Sequence, residues 1–325
     1  MALVTLFTSP KPFDDPFIAT LQHNAMGSWQ ALGPAVQVLV FGIESGVAEA
    51  AARYGFRHVP AVRRSRFGTP LISDMFAQAQ ARANTPWVAF VNADIILLPD
   101  FLRALQGLTP LLGRRRLLVS ARRWETDITE PLDWATQDPV ALARYARAQR
   151  LNPTGMDLFV FPRGWLRDIP PFAIGRAGWD NWMIYHARRD LRAWVVDATP
   201  DITVVHQVHD YRHLPGGRPH FQHEESQENV RLAGGVDKLY TLWEATHWLQ
   251  DGRLRRPSLH WFPLSRRLEL ALLRRGQPHK GWRRVLLRWV RRRWQRPWLE
   301  TTPWWRAYYG PAISQPPPQS LPPEE

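Results

Sequence analysis

The chain has 325 residues, 45% hydrophobic and 22% charged, a globular balance that excludes disorder, collagen and coiled coil over most of its length. It has no cysteine, which excludes disulfides, thiolate nucleophiles and cysteine-based zinc or iron–sulfur sites. The net charge of +13 is concentrated: residues 251–300 hold 15 Lys and Arg against 3 Asp and Glu, while residues 1–250 hold 26 against 24. A polyanionic partner would therefore meet the late segment.

In chain order, β-rich runs are expected at Leu3–Phe7, Val36–Phe41, Arg57–Val62, Trp87–Val91, Leu117–Ala121, Asp157–Phe161, Ala193–Val196 and Ile202–His206. Helix-like stretches lie at Pro16–Ala31, Val47–Tyr54, Pro70–Ala83 and Pro99–Leu108, then at Pro139–Arg150, Gly178–Arg189, Glu224–Leu232 and Asp237–Leu249. This alternation predicts an α/β fold with a mostly parallel sheet flanked by helices. Three regions are expected: a body over 1–250, a basic Trp/Arg-rich helical extension over 251–313, and a Pro-rich disordered tail over 314–325. No run of about 18 apolar residues exists, so no spanning helix is expected. The opening MALVTLFTSPKPFDD has no basic stretch and reads as a first strand rather than a signal peptide. A cytoplasmic location is expected.

The most informative stretch is TPWVAFVNADIILLPDF, residues 85–101. A buried strand runs into Asn92, Ala93 and Asp94, and Pro99-Asp100 then opens a helix. Ligands of open α/β sheets bind beyond the carboxyl ends of strands, where Asp94 sits. Its carboxylate either caps a turn or holds a hard divalent cation that bridges a diphosphate. Further on, Ile174–Trp182 places glycines before a helix start, with Asp180 in the first turn, where the helix dipole favours its anion. Asp180 is either a cap flanked by core tryptophans or a general base. The histidines His206, His209 and His213 form a third landmark; imidazole suits a cation such as Mn²⁺ but also pairs with loop carbonyls.

Phe90–Ile95, followed by Leu98–Phe101, resembles the DxD segment of GT-A glycosyltransferases, near glycosyltransferase family 2, with Asn92 at the first acidic position. The resemblance covers about residues 1–235 and rests on the order of its motifs. It implies a Rossmann-like GT-A body, a nucleotide-diphosphate sugar as donor and a divalent metal, Mn²⁺ or Mg²⁺. It implies Asp94 with His206 or His209 as metal ligands and Asp180 as the base that deprotonates an acceptor hydroxyl. Thr8, Ser9, Glu44, Arg66, Asp74, Asn92 and Ala93 would line the donor site, and Asp157, Trp179, Asn181 and Trp182 the acceptor or sugar side. Arg122 and Arg123 would neutralise phosphate.

Residues 281–298 read GWRRVLLRWVRRRWQRPW, with Trp282, Val285, Leu286, Trp289 and Val290 on one helical face and arginines including Arg284, Arg288 and Arg292 around it. Such a stripe either lies on an anionic membrane surface, as a peripheral contact on the inner face, or packs on the body. Nucleic-acid binding would use Arg and Trp as well, but no module for it is visible. The rival readings are a nucleotidyltransferase, which lacks its Gly-rich, Lys-containing phosphate loop, and a non-enzymatic carbohydrate- or nucleic-acid-binding protein.

Overall fold

The computed structural model describes residues 2–208, 223–257, 260–273, 281–300 and 304–309. Strand β1 (Val4–Thr8) leads into helix α1 (Pro16–Ala31). The helix starts where it does because the Asp15 carboxylate accepts hydrogen bonds from Phe17 and Ile18 N–H at 2.8 and 3.3 Å, and Pro16 has no N–H to satisfy. Then come β2 (Val36–Phe41), α2 (Val47–Arg53), β3 (Arg57–Val59), α3 (Ile72–Arg82), β4 (Trp87–Val91), β5 (Ile95–Leu97), α4 (Pro99–Leu108), β6 (Leu117–Ser120) and β7 (Arg122–Thr126). The middle contributes α5 (Pro139–Ala148), β8 (Arg150–Met156), β9 (Leu158–Pro162), α6 (Trp179–Tyr185), β10 (Trp194–Asp197) and β11 (Val204–Gln207). The last elements are α7 (Glu224–Leu232), β12 (His247–Gln250), β13 (Arg253–Arg255), α8 (Trp261–Leu273), α9 (Trp282–Trp289), α10 (Arg296–Glu300) and α11 (Trp304–Tyr309).

A nine-stranded sheet runs in the order β13-β12-β10-β6-β9-β4-β1-β2-β3, parallel except for β9 and β13. Its central strands are apolar at successive positions because both faces are covered. In β4, Trp87, Ala89 and Val91 enter one apolar cluster, and Val88 and Phe90 enter the other. Burying each such large side chain is worth about 1.5–3 kcal/mol. A second sheet, β5-β11-β7-β8, stands beside the first. A third cluster joins its Trp124 and Val205 to Trp243, Trp248, Trp304, Trp305, Tyr308 and Tyr309.

The mostly parallel α/β sheet and the helical C-terminal elements agree with the sequence expectation. Asp237–Leu249, expected as one helix, is instead two 3₁₀ turns, Val236–Lys238 and Leu242–Glu244, followed by β12. The reason is local: Thr241 and Glu244 form a capping box that closes a single turn. Helix α9 continues as a π-helix over Val290–Gln295, and this wider turn carries Val290 inward. Among the described residues no helix is long and apolar enough to cross a membrane.

Candidate active site

The ends of β1, β2 and β4 and the start of β9 share one edge of the large sheet, and the small sheet adjoins it. The Asn92 N–H donates to the Asp157 carbonyl at 3.0 Å, which seats Asp157 directly beside the end of β4. In the small sheet His206 is in register with Ile95 on one side and with Glu125 on the other. Asp94 precedes Ile95, so strand pairing itself brings Asp94 to His206: Oδ2 lies 3.8 Å from Nε2. The Glu125 carboxylate holds His206 Nδ1 at 2.7 Å. The carboxylate at Nδ1 fixes the orientation of the ring, with Nε2 on the side of Asp94.

The polar network continues from Glu125. Asn152 Nδ2 and Arg123 Nε donate to Glu125 Oε1 at 2.6 and 3.0 Å, and Arg123 Nη1 donates to Asp157 Oδ2 at 2.8 Å. Asn92 Nδ2 donates to Asp157 Oδ1 at 2.5 Å. Burial alone would raise the Glu125 pKa; the His206 hydrogen bond and charge, then Arg123 and Asn152, bring it down to about 2. Burial also works against the Arg123 charge, yet Asp157 and Glu125 more than offset it and raise its pKa. Burial lowers the Lys11 pKa, and the charge of Asp94 opposes that shift without cancelling it.

Asp180 sits in the first turn of α6. The turn depends on Gly178 at φ +101°, a backbone conformation in which a side chain would be strained. Burial pushes the Asp180 carboxyl up to about 6; backbone N–H groups of Asn181, Asp180 and Gly178 oppose the shift, and the charge of Asp157 adds to it. Asp180 therefore feels the same carboxylate that holds Asn92 and Arg123.

Thr8 ends β1 in register with Val40 of β2, and just beyond these strands Ser9 and Glu44 lie close to Gly42. Gly42 has φ +117°, and a Cβ there would fall 2.2 Å from Glu44 Oε2 and 3.6 Å from Ser9 Oγ. Glu44 Oε1 pairs with Arg64 Nη1 at 2.8 Å. Thr8 Oγ1, Glu44 Oε2 and Arg64 Nη2 are buried and have no hydrogen-bond partner among the described residues. Such groups are costly unless something polar meets them.

Several expected site residues are used elsewhere. Trp179 and Trp182 are not sugar-stacking walls: Trp179 packs in the core against Phe90 at 5.0 Å and Phe159 at 5.3 Å, and Trp182 against Phe172 at 5.2 Å and His186 at 4.4 Å. Large aromatic faces on the inward side of α6 are worth more in the core than at an opening. Asn181 is tied to Tyr240 through both its side chain and its carbonyl, which fastens the loop before Leu242. Arg66 is exposed and reaches Glu224 and Glu228, drawn by the acidic first turn of α7. The Asp74 carboxylate, in the first turn of α3, accepts from Arg63 N–H and Gln78 Nε2 and so ties the preceding loop to the helix. Arg122 is not available to phosphate. It is fully buried, bonded to Asp197 and Tyr309, with its guanidinium 4.3 Å from the Trp243 ring centre. His209 and His213 lie outside the described residues.

Among the described residues no group of three or more His, Asp or Glu is arranged to hold a metal by itself. Asp94 and His206 nonetheless offer one hard oxygen and one imidazole nitrogen side by side, and Glu125 orients the imidazole as a ligand requires. That donor pair would suit a divalent cation, which these two side chains would hold only in part. Glu125, which sequence reasoning missed, is the residue that builds this pair. Its one sequence signal was the alternation Arg-Trp-Glu-Thr of a half-buried strand.

No family model matches the chain, and no curated protein matches it. Solved structures do. One is glucosyl-3-phosphoglycerate synthase from Mycobacterium tuberculosis in complex with Mg²⁺ and UDP. It is 17% identical over 73% of this chain and 79% of its own, with a TM-score of 0.44. Another is a mannosyltransferase from Pyrobaculum calidifontis in complex with GDP-Man and Mn²⁺. It is 15% identical over 71% of this chain and 72% of its own, with a TM-score of 0.43. These are likenesses of chain path at low identity, and no residue role is carried across from them.

Proposed function

We propose that the protein is a glycosyltransferase that moves a sugar from a nucleotide-diphosphate sugar to an acceptor hydroxyl in the cytoplasm, with a divalent metal at Asp94 and His206. The observation that carries this reading is the network Asp94–His206–Glu125–Arg123–Asp157–Asn92, with Asp180 beside it, at the strand ends where an α/β sheet binds its ligand. The motif order of the sequence points the same way.

A metal bound there would neutralise the diphosphate as it leaves the anomeric carbon. The chain's own residues do the rest. The buried polar atoms of Thr8, Glu44 and Arg64 present acceptors and donors to the nucleoside end. Lys11 lies close enough to Asp94 to feel its charge. Asp157 keeps Arg123 and Asn92 in place. Asp180, with its pKa lifted to about 6, is ionised near neutral pH and basic enough to take the proton of the attacking hydroxyl.

The test is a thermal-shift panel of nucleoside diphosphates with and without Mn²⁺. One base should stabilise the protein, more strongly with metal, and Asp94→Ala should abolish the metal-dependent part. A protein indifferent to every nucleoside diphosphate, with and without Mn²⁺, would refute the donor reading.

A further inference from the structure

Helix α8 turns Phe262, Ser265, Glu269, Leu272 and Leu273 inward and leaves Trp261, Leu264 and Leu268 exposed. The exposed three recur at i, i+3 and i+7, which is one helix face. Helix α9 repeats the arrangement. Leu287 is buried, while Trp282, Val285 and Trp289 are exposed at 71%, 60% and 47% of their surface, again at i, i+3 and i+7. In the π-helical turn that follows, Trp294 is exposed too, with its ring 4.8 Å from that of Trp289.

The inward faces are already complete. Leu272, Leu273 and Leu287 form a small cluster, and Glu269 pairs with both Arg266 and Arg291. Trp261 meets the Trp298 ring edge-on at 5.5 Å, but Leu264, Leu268, Trp282, Val285 and Trp289 are not part of the small apolar cluster between α8 and α9. Single exposed apolar residues are ordinary, but two parallel-spaced stripes on neighbouring helices are not. Exposed Arg267, Arg284, Arg288, Arg292 and Arg293 are interleaved with them, inside the segment whose charge balance is 15 to 3.

We propose that α8 and α9 form a docking face for an anionic lipid bilayer. The Trp, Leu and Val side chains sit at the boundary of headgroups and acyl chains, and the guanidinium groups rest on lipid phosphates. This goes beyond the transfer chemistry and stands without it. Two other occupants fit less well. A nucleic acid would engage the arginines and stack on tryptophan, but it has no use for Leu264, Leu268 and Val285. A second copy would bring one strongly basic face against another.

The experiment is co-sedimentation of the full chain with vesicles of phosphatidylcholine alone and of phosphatidylcholine mixed with phosphatidylglycerol, at low and high salt. Binding is expected only to the mixed vesicles and should weaken with salt. The pair Trp282→Ser with Trp289→Ser replaces exposed side chains, so the melting temperature should hold while partitioning falls about tenfold or more. The charge reversal Arg284→Glu with Arg288→Glu should do the same. Equal binding to neutral vesicles overturns the proposal, and so does a tryptophan pair variant that binds like the unaltered chain. It is also overturned if the chain prefers duplex DNA to the mixed vesicles, or if the tryptophan pair turns a dimer into a monomer while vesicle binding is absent.

Discussion

At the scale of single residues, Asp180 is where stability and chemistry pull apart. Its carboxyl titrates at about 6 in the fold against 3.8 as a free side chain, so folding favours its neutral form. A pKa raised by folding contributes stability that is complete below pH 3.8 and is lost as pH rises through about 6. Asp180→Asn keeps the size and removes the charge. At pH 7 to 8 the variant should be more stable than the parent, by on the order of 1–3 kcal/mol, and the gap should close below about pH 4. Transfer activity should collapse by at least about 10²-fold while nucleotide stabilisation persists. In the parent, kcat/KM should fall as pH drops below about 6, where the base becomes protonated. Melting curves across pH together with initial rates check all three; a variant that loses stability at pH 8 would mark Asp180 as a structural cap. That Asp94 follows a strand, Asp180 opens a helix and His206 lies in a late strand was legible because these positions follow from local pattern. The burial of Trp179 and Trp182 was not, since a helix sequence does not say which of its faces meets the sheet.

At the scale of elements, β7 explains what was hidden. Successive side chains of a strand point to opposite faces. Arg122 and Trp124 face the C-terminal aromatics, with Trp124 5.5 Å from Trp305, while Arg123 and Glu125 face the site. Two adjacent arginines that look equivalent in the sequence thus become a core clamp and a partner of Glu125 and Asp157, and only the pairing of β7 with β11 tells them apart. The long helices and the central strands were readable because their apolar spacing is local. β5, β7 and β8 were not, because they are short or polar and exist through partners distant in the chain. Substitutions on the two faces of β7's surroundings should separate cleanly. Glu125→Gln should weaken Mn²⁺-dependent nucleotide stabilisation about 10–100-fold, as removal of a partner that orients a metal-bound imidazole does. Tyr309→Phe removes the hydroxyl that bonds to both Arg122 and Asp197, and should cost about 1.5–3 kcal/mol with metal dependence intact. Titrations of Mn²⁺ and denaturant on both variants read this out; a Tyr309→Phe chain that loses metal response at unchanged stability would contradict the two-faced account.

At the scale of the whole molecule, charge and packing divide the chain differently. The charge profile breaks near residue 251, which is why the sequence suggests a neutral body followed by a basic extension. The apolar cluster beneath the small sheet ignores that break: Trp124, Val205, Trp243 and Trp248 of the body share it with Phe262, Trp304, Trp305, Tyr308 and Tyr309. Arg122 and Asp197, both fully buried, are closed over by Tyr309. Removing α11 would leave this ion pair with an open side and a missing partner, the costly kind of change for buried charge. We therefore expect the described residues on either side of that break to unfold as one cooperative unit. Calorimetry should show a single transition whose calorimetric and van't Hoff enthalpies agree. Trp305→Ala should lower the stability of that whole transition by about 3–5 kcal/mol, as loss of a buried aromatic side chain does. A chain ending at Gln250 should lose more than that, and should fail to respond to nucleoside diphosphate and Mn²⁺ even though every proposed ligand-contacting residue remains. Two separate transitions, or a truncated body that melts where the full chain does and still binds nucleotide, would show that the charge boundary is also a folding boundary.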